Sequence, residues 1–251
     1  MTVVNIETPV AGLVRINNPL DFVIGAPQET DEELRERITT DYNSVGSGTQ
    51  DTIRTSLEQV PSVISVVVDA NKTFETSPEG VPPKAYESIV YHQTTNEIIA
   101  QEIWNNKPSG IETWGDETVD VVDANGDTQQ VKFTPITSSS SGILYAHIRV
   151  KYSELTGEDE QFPSDGELRI QEAVAFEGND YQIGQDVIGK RFFAPIYENV
   201  EGIEYMNIEV NLDTVIKDPN TIPEVDWVPS QAVGRTEIAL FAVDRVLVET
   251  F

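Results

Sequence analysis

Apolar residues in this chain never run together for longer than a β-strand. The longest runs, such as Val63 to Val68 (interrupted only by Ser65) and Ile238 to Val243, are strand-sized, far short of the roughly 18 consecutive apolar residues that cross a bilayer. Between such runs stand stretches with helical spacing, opened by capping signals. Short strands mixed with short helices must bury their apolar faces on one another, so the expected class is α+β.

The helix signals are specific. Thr30-Asp-Glu-Glu33 reads as a capping box, in which Thr30 accepts from a free amide and Glu33 reaches back to another; Leu34, Ile38 and Tyr42 follow at helical spacing. A turn at Val45-Gly-Ser-Gly-Thr49 leads to a helix with Ile53 and Leu57 on one face, stopped by Val60-Pro-Ser62. Thr94-Thr-Asn-Glu97 opens a helix expected to bury Ile98, Ile99, Ile103 and Trp104. Ser164-Asp-Gly-Glu167 opens one running to about Phe176. Asp186 is expected to cap a helix to about Val200, kinked by Pro195, which lacks an amide and clashes with the preceding turn.

Strands are expected over Val63–Val68, Tyr86–His92, Thr118–Val122, Gln130–Thr134, Leu144–Tyr152, Tyr205–Leu212 and Glu237–Val248. Asn125-Gly126 is a strong turn signal and makes the third and fourth of these a hairpin. A short internal echo links Leu57-Glu-Gln-Val60-Pro-Ser-Val63 with Tyr197-Glu-Asn-Val200-Glu-Gly-Ile203. The organisation read from this is an extended N-terminal arm (1–25), a first α/β module (26–110), a β-hairpin and linker including Ser138–Ser141 (111–142), and a second, related α/β module (143–251). The sheets are expected to be mixed or antiparallel.

Composition removes several chemistries. There is no cysteine, so disulfides, thiolate metal sites and cysteine nucleophiles are excluded. Hydrophobic residues make up 39% and mean hydropathy is −0.28, a core-forming composition. With 16 basic against 43 acidic residues the net charge is −27. Phosphate backbones and anionic membranes are bound through Lys and Arg, so neither nucleic acid nor membrane is an expected partner.

Motif searches return weak matches. Gly184-Gln-Asp-Val-Ile-Gly-Lys190-Arg191 approaches a phosphate-binding loop, but Arg191 stands where a Ser or Thr should hold magnesium. Asp123, Asn125 and Asp127 have the opening spacing of a calcium loop, which a tight hairpin turn explains with fewer assumptions. His92 and His147 are the only histidines and have neither metal-ligand spacing nor a nucleophile elbow. The three tryptophans are scattered, and basic–aromatic interleaving is absent. No catalytic, cofactor-binding or metal-binding residue is assigned. A glycosidase built on two of the many carboxylates, and a protein-binding adaptor, stand as alternatives to a structural role.

A series of segments resembles one family. Glu29-Thr-Asp-Glu-Glu-Leu-Arg-Glu-Arg37 resembles the ETDEELRxR signature of the baseplate J-like proteins of contractile phage tails. In the family's order follow Gly46-Ser-Gly-Thr49, Val60-Pro-Ser-Val63, Gly80-Val-Pro-Pro-Lys-Ala-Tyr-Glu-Ser-Ile-Val90, Glu97 to Trp104, Lys107-Pro-Ser-Gly-Ile-Glu-Thr113 and the hairpin Gly115 to Phe133. The resemblance covers roughly residues 25–215. It implies a structural wedge subunit of a baseplate, with no enzyme activity and no cofactor. Its implied partners are copies of itself, as a homodimer within a ring, and the other wedge and hub proteins; its implied location is the virion tail. The family usually carries a larger region ahead of the Thr30 segment, so a minimal version or a C-terminal part is expected. The basic pair Lys190-Arg191 is expected to face an acidic patch of a neighbour.

Overall fold

In the computed structural model the described residues are 48–137, 142–155 and 161–251, all within one compact unit, Gly46–Phe251. The expected arm, the helix behind Thr30 and the Ser138–Ser141 linker lie outside them.

The described chain is α+β, with mixed sheets. Helix α1 (Gln50–Glu58) starts where the Thr49 hydroxyl accepts from the Thr52 amide at 3.1 Å, filling one of the free donors of a first turn. Ile53 and Leu57, one turn apart, are buried. Ser62, at positive φ, turns the chain into β1 (Val63–Ala70). A loop organised by Asn71 leads to β2 (Tyr86–His92). The Asn71 amide donates to the carbonyls of Glu75, Val81 and Pro82, while its oxygen accepts from Thr73. Strand β2 is buried along its whole length because it is central. It pairs antiparallel with β1 on one side and parallel with β3 (Thr113–Trp114) and β5 (Thr128–Ile136) in succession on the other. Strand β4 (Glu117–Val122) closes the hairpin with β5. Helix α2 (Asn96–Asn106) buries Ile99, Ala100 and Ile103 with α1 in one core beneath this sheet.

The second sheet repeats that arrangement with a different chain order. Its central strand β6 (Ile143–Glu154) pairs antiparallel with β8 (Ile203–Asp213) and parallel with β10 (Ile238–Leu240) and β11 (Val246–Thr250) in succession. Helices α3 (Gly166–Gly178) and α4 (Phe193–Asn199) cover it, burying Ile170, Val174 and Ile196. A small pair, β7 (Val187–Ile188) with β9 (Ser230–Gln231), lies against β8. A third cluster, Ile89, Tyr91, Ile136, Ile143, Ile183 and Ile238, joins the two sheets.

Several local expectations are corrected. Asp186 caps no helix: its carboxylate accepts from the Val233 amide, and the chain continues as β7, a 3-10 turn and only then α4. Pro195 falls in the first turn of α4, where its missing amide breaks no helical bond, so it produces no kink. The N-caps of α2 and α3 are Thr95 and Asp165, and neither side chain caps. Ile98 is half-exposed. The single strand expected over Glu237–Val248 is broken, because residues 241–245 stand opposite only Ala146 and His147. Phe241 leaves the strand to join Tyr181 and Phe192 at ring-centroid distances of 4.8 and 5.7 Å.

Candidate interaction surface

The residues singled out for catalysis or ligand binding have structural partners. His147 is fully buried on β6, and its Nε2 accepts from the Lys217 amide at 3.0 Å. His92 is buried at the end of β2, with Nδ1 3.1 Å from the Thr94 carbonyl. Burial lowers the pKa of both below the usual imidazole value. Asp123 accepts from the amides of Asn125 and Asp127 and from Gln129, which holds its carboxyl below the ordinary range and occupies its oxygens within the hairpin turn. Gly184 to Arg191 spans a turn, β7 and a 3-10 turn, without the strand–loop–helix that cradles phosphates. Every described carboxylate with a displaced pKa, such as Glu97, Asp213, Asp218 and Glu224, is displaced downward. A general acid needs the opposite shift. Among the described residues no cluster of His, Asp and Glu could hold a metal ion, and no helix is long and apolar enough to cross a membrane.

What the surface does present is contact area. Strands β1 and β4 are the outer strands of the first sheet. Phe74, Phe176, Val225 and Phe251 are each more than half exposed, and Phe176 borders a groove between α3 and α4 with Ala173 and Pro195. Outward apolar side chains at sheet edges and helix grooves are the usual material of protein–protein contacts.

The charges are distributed unevenly between interior and rim. Arg149, almost fully buried on β6, donates to both Glu209 and Glu224 and lies 4.9 Å over the Trp227 ring. Arg169, Lys217 and Arg54 each meet a carboxylate four residues away in the chain. By contrast Lys107 and Lys132 form no ion pair among the described residues. Each is held over an indole instead: Lys107 4.9 Å from the Trp104 ring centroid and Lys132 5.6 Å from that of Trp114. All four border one cavity of about 380 Å³, with Gln129 and Gln130 on its wall.

No basic–aromatic pattern is visible along the sequence because these residues come from three segments. Trp104 and Lys107 stand at the end of α2, Trp114 is in β3, and Lys132 is in β5. The Thr113 hydroxyl brings the last two together by accepting from the Lys132 amide at 2.8 Å. Only the spacing of Trp104 and Lys107, three residues apart at a helix end, is a signal available beforehand. Lys190 and Arg191 are exposed, as an assembly contact would need, but on a 3-10 turn rather than a helix.

No family model matches the chain, and no curated protein matches it. Among solved structures, a chain of the cryo-EM structure of the anti-feeding prophage (AFP) baseplate, 6-fold symmetrised, aligns with 94% of this chain at 14% identity and a TM-score of 0.44. This chain spans about half of that one, 47% of its length.

Proposed function

We propose that this chain is a structural subunit of a contractile-tail baseplate wedge, assembling around a central hub, and that it is not an enzyme. One observation carries the reading. The segments that resemble the baseplate J-like family keep the family's order and fall on successive elements of the described fold. Val60-Pro-Ser-Val63 is the turn from α1 into β1; Gly80 to Val90 leads into β2; Glu97 to Trp104 lies in α2; Gly115 to Phe133 is the β4–β5 hairpin.

The physical design suits the role. Two covered sheets make a stiff body, while outer strands, a helix groove and exposed aromatic rings supply contact surfaces. Its partners on this reading are copies of itself and other wedge and hub proteins, and its place is the tail of the virion. The test is to purify tail particles from the source of this gene and reconstruct the baseplate. Density for this fold in the wedge, in several copies per particle, is expected. Particles that lack the chain altogether defeat the reading.

A further inference from the structure

We infer that the cavity bordered by Lys107 and Lys132 receives carboxylates from a second copy of this chain. The argument starts from charge. A chain with 43 acidic and 16 basic residues repels its own copies over most of its surface. A contact between copies therefore needs a place where cations are not already paired with neighbouring carboxylates. Six of the described basic residues, Arg54, Arg149, Lys151, Arg169, Lys217 and Arg235, are paired in that way. Lys107 and Lys132 are among the described basic residues that are not, and they face one cavity together; Lys72 and Lys84 also share a cavity, but there the Lys84 ammonium donates to the Lys72 carbonyl at 2.6 Å. Glu112 borders the same cavity without an ion pair to either lysine.

The aromatic rings decide what can enter. An ammonium held over an indole keeps its charge and stays partly desolvated and positioned, so less order is lost when an anion arrives. The lysines cover the indole faces they occupy, and nucleobases would need those faces for stacking. The phosphate backbone would also meet a net charge of −27. Side-chain carboxylates on a folded surface need no ring face, and a second copy carries them in excess and can present a few of them locally.

The charges fix what the lysines meet: carboxylates that lie outside the cavity, which a two-fold contact can supply reciprocally and a head-to-tail contact can supply in one direction. Only the head-to-tail form closes into rings or runs on as filaments. The inference rests on the self-assembly part of the proposed function and not on the identity of the particle.

The test compares association of the purified chain by sedimentation velocity over a range of concentrations at fixed, moderate salt. Lys107→Glu/Lys132→Glu is set against Arg54→Glu/Arg169→Glu, which changes net charge by the same amount at half-exposed residues of α1 and α3. The first should raise the dissociation constant by about tenfold or more, and the second should change it little. Lys107→Gln/Lys132→Gln, a milder change, should fall between, and circular dichroism establishes that each variant is folded. Equal loss in both reversed variants, loss confined to the Arg54/Arg169 variant, or a wild-type chain that stays monomeric at every concentration would each overturn the inference. None of these results bears on whether the chain is found in tails, which the particle reconstruction decides separately.

Discussion

The guanidinium of Arg235 donates to the carboxylate of Glu87 at 2.6 Å, joining residues 148 positions apart and tying the loop before β10 to the central strand of the other sheet. Glu87 is nearly fully buried and also accepts from the Thr134 hydroxyl. Removing the cation strands a buried carboxylate, a loss of about 3–5 kcal/mol where both partners are fully buried. Arg235 is about a third exposed, so Arg235→Ala should cost less, about 2 kcal/mol, read as a lower urea midpoint. Glu87→Gln/Arg235→Ala should cost less than the sum of the single changes, because the pair acts as a unit.

Arg149 holds a different junction. Its two carboxylate partners come from β8 and from the loop carrying Glu224, and Trp227 lies against its planar face. Lysine cannot reproduce either the forked donation or the stacking. Arg149→Lys should therefore retain only part of the stability, and Arg149→Ala should lose about 3 kcal/mol. Thermal unfolding with tryptophan fluorescence as the readout reports both the stability and the release of Trp227. An unchanged melting temperature in Arg149→Ala would show the network to be ornamental.

Two glycines of the hairpin region separate close approach from backbone freedom. A Cβ on Gly115 would lie 2.1 Å from the main-chain carbonyl carbon of Phe133, and backbone cannot give way cheaply. Gly126 has φ +90° in the β4–β5 turn and open space around it. Gly126→Ala should cost about 1–2 kcal/mol from the left-handed conformation alone. Gly115→Ala should cost more than about 3 kcal/mol, or prevent β3 and the hairpin from docking together. Chemical denaturation of the two variants under one condition measures the difference directly.

Stability should depend on pH through the buried histidines. Burial is the main cause lowering the His147 pKa, with Arg245 and Lys217 adding to it and the Asn211 main chain and Asp213 opposing it. For His92, burial again dominates over the Thr94 carbonyl. A base with a depressed folded pKa binds fewer protons folded than unfolded. Stability is thus level above the unfolded value of 6.5 and falls as pH drops from there to the folded pKa. Each histidine contributes up to about 1.4 kcal/mol per pH unit within that window. His147→Gln, which keeps an acceptor for the Lys217 amide, should flatten the slope. An unaltered slope below the unfolded value of 6.5 would remove His147 from this account. The carboxylates with lowered pKa act in a separate, more acid window.

Strands were largely legible in the sequence because their apolar runs are local. Tyr86–His92 is expected and found with the same bounds, and the echo between Leu57–Val63 and Tyr197–Ile203 marks two real passages from a helix to an outer strand. The errors share a cause: tertiary partners override local signals. Asp186 has the composition of a cap but serves the Val233 amide, 47 residues away. The apolar run at Ile238 looks continuous, yet Phe241 has a better place beside Tyr181 and Phe192 than in the ladder. The Lys107 and Lys132 cavity was illegible for the same reason, since its residues meet only through the pairing of β3 and β5 with β2.

The broken strand has a consequence for how the molecule is made. β10 and β11 are the partners of one side of β6, and they follow it in the chain by about a hundred residues. Until Ile238–Thr250 leave the ribosome, that side of β6 is an open template in a chain still being translated. Any segment that can add a strand there competes with the native one, and parallel pairing over so long a separation is slow to win. The acidic character of the chain then acts as a kinetic safeguard, holding nascent copies apart during the interval in which they are most able to exchange strands.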